Sequence, residues 1–343
     1  LKKMMPIQRE VLDEAMEGFA QRAGEGPVDI YQEMVKVSLA LIGKSLFGRR
    51  ISDEELQVIA DAISDIQGFI LRQIVQPYLI PWFRLSGKTA YYQKIRSVGE
   101  SLIEEHIDIR RRDGGGGSDM LGHMLETPYE DTGRPMEDSQ LLIETLQLLI
   151  AGNESSSIAL AWTFYLLARH PECIARIRAE IESVVGEGPL DFAALRRLEY
   201  TTQVLNETLR LYPPFWMIDR IAQEEDEAAG IHIPAGIMVI PYIYGTHRNP
   251  DFWPDAEIFD PDRFESASAK KRHPYAHIPF GGGPRICIGA DMAMLQSAMV
   301  LVSYIRDFDF ELASERPSNI CPMMLLRPDG PIPLRFRRVA GAS

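Results

Sequence analysis

The sequence predicts a mainly α protein with a minor β component. Three observations carry that reading. Apolar residues recur at helical spacing through almost all of the first two-thirds of the chain, broken only at Gly- and Pro-rich points. After Pro214 the pattern changes to short β-prone runs between turn residues. One long apolar stretch, Leu141 to Ala168, carries Asn153, Glu154, Ser155, Ser156 and Ser157 near its middle. That polar centre suits a helix through a protein core and would be costly in lipid.

The helical runs fall at 6–23, 30–48, 52–79, 87–112, 118–126, 137–169, 171–185, 191–198 and 200–211. GEGP, IPWF, DGGGGSD, HPE, a second GEGP and YPPF separate them, each supplying residues that stop a helix. At about 1.5 Å per residue, the run through Leu141–Ala168 makes a buried helix of roughly 40 Å. The DGGGGSD stretch (113–119) is expected to be a flexible surface connection, either a natural loop or a joining scar. Beyond YPPF, residues 219–250 suggest hairpins in a small sheet, and HRNPDFWPDAEIFDPDRF (247–264) an irregular but aromatic packing segment. A long helix follows Cys287, and MMLLRPDGPIPLRFRRV (323–339) suggests two strands around a turn. There is no internal repeat, and no composition break divides the chain, so a single domain over 1–343 is expected.

At 343 residues the chain can bury a large core, and 45% hydrophobic with 25% charged residues is ordinary for a soluble globular protein. The net charge of −13 argues against a general affinity for nucleic acid or anionic membrane. Cys173, Cys287 and Cys321 are too few and too scattered for a disulfide framework or a Cys-rich zinc site, and a cytoplasmic location is expected. The opening LKKMMPIQREVLDEAMEGFA has acids inside an amphipathic pattern, unlike a signal peptide.

The stretch FGGGPRICIG (280–289) places one cysteine in a Gly-rich loop ahead of a helix. Gly281, Gly282 and Gly283 admit backbone conformations closed to other residues and allow close approach to a flat ligand. Gly289 and a helix starting near Ile288 would put backbone N–H groups and the positive helix end beside the sulfur, favouring thiolate. A lone Cys cannot close a zinc site, but it can supply one axial ligand to an iron held by four porphyrin nitrogens. Arg285 can then hold a propionate through charge-assisted bonds. The alternative is a buried cysteine in a Gly-rich turn.

The pattern is longer than one turn. Phe280, Gly283, Arg285, Cys287 and Gly289 fit F-x-x-G-x-R-x-C-x-G at every fixed position, which resembles the haem-binding loop of the cytochrome P450 family. The resemblance implies that family's fold, with a large helical body, a long central helix over the haem and small β-sheets. It implies haem b with the Cys287 thiolate on iron, and Phe280, Gly281, Arg285 and Gly289 around the cofactor. Glu207 and Arg210 in NETLRLYPP match the family's E-x-x-R, and at i,i+3 they share a helix face. With Arg263 in FDPDRF they are implied to form a structural triad bracing the cysteine loop, while Arg220 matches an arginine that reaches a propionate.

AGNESSS resembles the family's A/G-G-x-D/E-T-T/S. It implies that Ala151 and Gly152 lie at the haem, with Glu154 as the acid and Ser155 as the alcohol. Oxygen activation needs two protons delivered while bulk water stays out, which a positioned hydroxyl and a nearby carboxylate can do. The family most often has threonine where Ser155 stands; the hydroxyl is kept, but serine is less fixed in rotamer. The alternative is a helix bend satisfied by serines bonding back to carbonyls.

By the same resemblance Leu148, Ala151, Ser155, Phe215, Trp216, Met217, Ile218, Met323 and Met324 line a substrate pocket, with residues 68–85 as a mobile roof. Their apolar character points to a hydrophobic substrate, with ordinary core packing the alternative for each. ASAKKRHP (267–274) places Lys270, Lys271, Arg272 and His273 just before the loop, either a basic cluster suited to an acidic ferredoxin or flavodoxin or a solvated loop. The function implied is a haem-thiolate monooxygenase that uses O2 and two electrons from NAD(P)H through a partner, as a monomer. A peroxide-driven oxidase and a non-catalytic haem or ligand-binding protein are the alternatives. The resemblance covers essentially the whole chain, which is expected to lack the family's N-terminal helix and β region.

Overall fold

Helix ends follow capping and breaking residues in the computed structural model, which describes residues 2, 4–48, 51–186, 188–265, 271–315 and 318–339. Contacts divide the chain into two compact units, Leu1–Glu25 with Tyr31–Ser157, and Gly26–Ile30 with Ile158–Ser343.

The first unit holds α1 (Met5–Arg22), α2 (Ile30–Phe47), α3 (Asp53–Val75), α4 (Ile80–Leu85), α5 (Lys88–Arg112), α6 (Met120–Glu126) and the start of α7 (Asp138–Arg169). A capping box opens α3: the Glu55 N–H donates to Ser52 Oγ at 3.2 Å, and the Ser52 N–H donates to Glu55 Oε2 at 2.7 Å. The expected run 52–79 stops at Val75, because Pro77 disfavours helix at the residue before it. IPWF, expected as a break, forms α4 with Pro81 in its first turn, where a missing N–H costs nothing. At Gly43 of α2 a Cβ would collide with the Leu56 side chain of α3, so a glycine is what lets these helices meet.

The tetraglycine lies at the surface, as expected, and forms a built turn. Gly114 and Gly115 take φ of +95° and +87°, a region open to glycine at little cost. A Cβ on Gly117 would strike the Arg110 guanidinium. Arg110 donates to Asp119 at 2.6 and 3.0 Å, and to the carbonyls of Phe47 and Gly116 at 3.2 and 3.3 Å. Asp119 also caps α6 by accepting the Gly122 N–H at 2.9 Å. The glycines thus wrap a buried ion pair.

The second unit holds the rest of α7, then α8 (Pro171–Val184), α9 (Phe192–Leu195), α10 (Glu199–Leu211), α11 (Ile243–Thr246) and α12 (Ala290–Asp307). Glu180 of α8 opens α10 by accepting the N–H groups of Tyr200 and Thr201 at 2.6 and 2.9 Å, orphan donors of a helix start. Helix α12 is buried from Gln296 through Ile305. Phe164, Tyr304, Phe310 and Phe336 meet edge-on or tilted around it, and Trp162 stacks on Tyr212 at 4.0 Å.

The β component is small and antiparallel. The strands β2 (Arg220–Ile221) with β5 (Met238–Val239), and β3 (Asp226–Ala228) with β4 (Ile231–Ile233), form the expected hairpins. A three-stranded sheet runs β1 (Val28–Asp29), β9 (Pro333–Arg338), β6 (Phe308–Leu312), with Phe310 opposite Phe336. The tail forms the two expected strands around a turn, but they do not pair with each other. Its β8 (Leu326–Pro328) pairs with β7 (Ile320–Pro322), while β9 turns to β6 and β1. Leu334 and Phe336 alternate with exposed arginines and bury only on that sheet's inner face.

Asp119→Ala should cost about 3–5 kcal/mol in urea unfolding, because it strands a buried guanidinium. Gly115→Ala should cost about 1–2 kcal/mol through its left-handed φ alone.

Candidate functional site

The site in the second unit rests on α10. Glu207 and Arg210 lie one turn apart, both fully buried at 0% exposure. Every guanidinium N–H of Arg210 is used: two bonds to Glu207 at 2.7 and 2.8 Å, and bonds to the carbonyls of His247, Ala256 and Ile258 at 2.9, 2.6 and 3.2 Å. Glu207 also accepts the Asp260 N–H at 3.0 Å. Arg263 brings its Nε to 3.5 Å from Glu207, while its outer nitrogens donate to the carbonyls of Pro254 and Asp255. The structure therefore brings Glu207, Arg210 and Arg263 together.

From this centre a hydrogen-bonded chain reaches the cysteine. Arg210 holds the backbone of His247, whose Nε2 accepts the Ile278 N–H at 2.9 Å. The Ile278 carbonyl accepts the Gly281 N–H at 3.0 Å, and the Cys287 N–H donates to the Phe280 carbonyl at 3.0 Å. Gly281 and Gly283 have φ of +76° and +69°, so the closed loop requires glycine there. The Ile286 N–H closes the remaining turn on the Gly283 carbonyl at 3.1 Å. Gly289 is the N-cap of α12, which begins at Ala290, two residues after the expected start near Ile288.

Cys287 is a free, exposed thiol, and its neighbours Ile286 and Ile288 are 57% and 96% exposed. Apolar side chains held out beside an outward sulfur, at a helix N-terminus, make a surface for a flat apolar group that a thiolate can ligate. Haem fits those residues. Arg285 is exposed and makes no ion pair among the described residues, which leaves it free to meet a carboxylate. A Cβ on Gly281 would come within 4.0 Å of Ile218, so the segment carrying exposed Arg220 runs past the loop.

That segment also gathers expected pocket residues. Trp216 Nε1 donates to the Met323 carbonyl at 3.0 Å, and the Leu326 N–H donates to the Pro214 carbonyl at 2.8 Å. The side chains of Phe215, Met217 and Met324 remain exposed.

In the first unit, Ala151, Gly152, Glu154 and Ser155 share the middle of α7, with half-buried Leu148 one turn before. Ser155 Oγ donates to the Ala151 carbonyl at 2.6 Å, and Ser157 Oγ to the Glu154 carbonyl at 2.9 Å. The bond back to a preceding carbonyl, weighed in the sequence as an alternative, is thus present at Ser155. A Cβ on Gly152 would lie 2.7 Å from Ile42 of α2, so packing alone already demands glycine there.

The basic cluster is divided. Lys270 lies outside the described residues, and Lys271 is exposed. The Arg272 guanidinium stacks 3.9 Å from the Trp253 ring centre and donates to the Arg263 carbonyl at 2.7 Å. Arg272 thereby serves the scaffold. His247, His277 and Trp253 were not singled out in the sequence; they carry no motif spacing, only a tertiary role.

Among the described residues, no three His, Cys, Asp or Glu side chains cluster as a metal site, and no helix is long and apolar enough to cross a membrane. The family description that matches is cytochrome P450, over residues 1–336. Cyclooctat-9-en-7-ol 5-monooxygenase of Streptomyces melanosporofaciens is 31% identical over 276 residues, 80% of this chain and 60% of its own length. Cytochrome P450 3A6 of Oryctolagus cuniculus is 28% identical, with 98% of this chain and 70% of the relative covered. The crystal structure of the cytochrome P450DA heme domain superposes with a TM-score of 0.91 at 27% identity, covering 98% of this chain and 74% of that one. The chain thus spans about 60% of the length of the Streptomyces relative.

Burial holds His247 down to a pKa of about 3 and His277 well below the ordinary histidine value, so both are neutral in the fold. Unfolded, each titrates near 6.5 and binds a proton the folded state refuses. Their stability contribution is therefore complete above about pH 6.5 and falls as pH drops, by about 1.4 kcal/mol per pH unit for each histidine. Urea midpoints from pH 7 to 4 should show this slope, and His277→Phe should remove one proton from it.

Proposed function

We propose a haem-thiolate monooxygenase, on the premise that the chain belongs to the cytochrome P450 family. The reaction inserts one atom of O2 into a hydrophobic small molecule, with two electrons drawn from NAD(P)H through a redox partner. The observation that carries the reading is Cys287: an exposed thiol in a closed, glycine-dependent loop, between two isoleucines held out of the core. Haem, when bound, supplies the oxygen activation, and the thiolate supplies the electron density that favours O–O cleavage.

The chain's own residues do the rest. Cys287 ligates, with the start of α12 stabilising its negative charge. Arg285 and Arg220 hold propionates. Glu207, Arg210 and Arg263 fix the loop so that the sulfur is preorganised. Glu154 carries protons inward, and Ser155 delivers them after turning its hydroxyl away from the Ala151 carbonyl. Phe215, Trp216, Met217, Met323, Met324 and Leu148 provide apolar contact for the substrate. The name of the Streptomyces relative, which acts on cyclooctat-9-en-7-ol, supports a largely hydrocarbon substrate. Lys271, with Lys270, is proposed to meet an acidic ferredoxin or flavodoxin, and a cytoplasmic monomer suits that exchange.

One observation favours a second reading. Ser155 spends its proton on the Ala151 carbonyl, and an enzyme that takes its oxygen from peroxide has less need of that hydroxyl.

The reduced protein with CO should show the Soret band of thiolate ligation, and Cys287→Ala should abolish it; an unshifted band in the parent would remove the proposal. Glu154→Gln should lower donor-driven turnover by about 10²-fold or more while leaving that band in place. Peroxide-supported turnover with no donor-supported turnover would select the second reading. Lys271→Glu should slow electron transfer from an acidic donor and weaken its salt dependence; unchanged rates would exclude docking there.

A further inference from the structure

Three successive residues lead into the cysteine loop, and each is held by a different group. The Ala276 carbonyl accepts the Trp253 indole N–H at 3.2 Å. The His277 ring bonds the backbone of Asn206 on α10. The Ile278 N–H donates to His247 Nε2 at 2.9 Å. The last of these acts on the residue that starts the loop, since the Ile278 carbonyl accepts the Gly281 N–H at 3.0 Å. Pro279 comes between them, and proline has no N–H with which to anchor the chain again.

The hold at Ile278 works in one chemical form of His247 only. An amide N–H donates, so the nitrogen it meets must carry a lone pair, and the proton of the neutral ring lies on Nδ1. That edge of the ring faces the end of α10. There the Thr208 carbonyl takes the Tyr212 N–H at 2.7 Å, the Leu211 carbonyl takes Arg248 at 2.7 Å, and the Leu209 and Arg210 backbones face His247. Nδ1 closes no short bond with them. The imidazole spans from the carbonyls of a helix end to the amide of a loop entry, with a donor on one edge and an acceptor on the other. It is fully buried, and desolvation together with the Arg210 and Arg248 charges keeps it neutral. The His277 ring lies against it, 5.1 Å away and tilted by 32°. A doubly protonated His247 would set N–H against N–H at Ile278.

We infer that the His247 side chain is a further positioning residue: its neutral Nδ1–H tautomer, by accepting the Ile278 N–H, sets the entry of the cysteine loop and with it the direction of the Cys287 sulfur. Arg210 holds the carbonyl of His247, and the imidazole carries the contact on to Ile278. The step from the buried ion pair to the loop therefore passes through a side chain that can be exchanged without touching either charge. The consequence for iron ligation rests on the haem-thiolate reading, and the ordering of the loop does not.

Three substitutions separate this role from simple packing. His247→Gln keeps an acceptor at the reach of Nε2, with a donor beside it. His247→Asn keeps both functions but is one methylene too short to meet Ile278. His247→Phe fills the space of the ring with neither function. The readouts are amide hydrogen exchange in the full chain and the Soret band of its reduced CO form. The amides of Ile278, Gly281 and Cys287 should exchange roughly tenfold faster or more in His247→Phe and His247→Asn, and within about threefold of the parent in His247→Gln. Soret intensity should leave the thiolate position in part in His247→Phe and His247→Asn, and stay there in His247→Gln. A packing role predicts the opposite order, with His247→Phe the mildest change, and that order would overturn the proposal. Parent-like exchange in all three variants would leave the hold to Trp253 and Asn206 and overturn it too, as would equal loosening in all three. A parent without the thiolate band would remove the haem-thiolate reading, while the order of exchange rates still decides the role of His247.

Discussion

The buried pair of Glu207 and Arg210 is the interaction on which the cysteine loop depends. Two charges taken fully out of water are expensive, and their attraction offsets that cost only where every polar atom is matched. Here the match is complete on the guanidinium: its five N–H groups meet two carboxylate oxygens and three carbonyls. The carbonyls belong to His247, Ala256 and Ile258, so the charge on α10 fixes the path of an irregular segment with almost no secondary structure of its own. His247 then carries the constraint to Ile278, and from there through Gly281 and Phe280 to Cys287. The ring of buried Trp253 has the guanidinium of Arg210 at 5.1 Å and that of Arg272 at 3.9 Å from its centre.

The first unit solves a similar problem with the same chemistry. Arg110 is buried against Asp119 and collects the carbonyls of Phe47 and Gly116, and glycines supply the turns that let those carbonyls converge. In both units a planar, five-donor cation organises loop backbone that has no sheet or helix partner. Aliphatic packing fills the space between helices, but it does not dictate the path of a loop.

Helix positions were legible because amphipathic spacing and stop residues agree over long runs; α5, α7, α8 and α10 begin and end within a residue or two of expectation. The cysteine loop and the Glu207–Arg210–Arg263 set were legible because their spacing is fixed along the chain. What was hidden depends on contacts far apart in sequence. The pairing of β9 with β1, Val28 opposite Leu334, spans nearly the whole chain and leaves no local mark. The tetraglycine looked loose because composition cannot show that Arg110 and Asp119 fill its interior. Gly152 matched a motif, yet Ile42 of α2 is what occupies the space beside it. Arg272 counted as a surface cation until Trp253 and Phe264 claimed it.

Amide hydrogen exchange in Arg210→Lys tests most directly whether the ion pair holds the loop. Lysine keeps the charge but cannot make five directed bonds, so the carbonyls of His247, Ala256 and Ile258 lose their donor. The amides of Ile278, Gly281 and Cys287 should then exchange roughly a hundredfold faster or more, a local loss of about 3 kcal/mol, while those of α1, α3 and α5 keep their protection. Parent-like protection at Ile278, Gly281 and Cys287 in that variant would contradict the account.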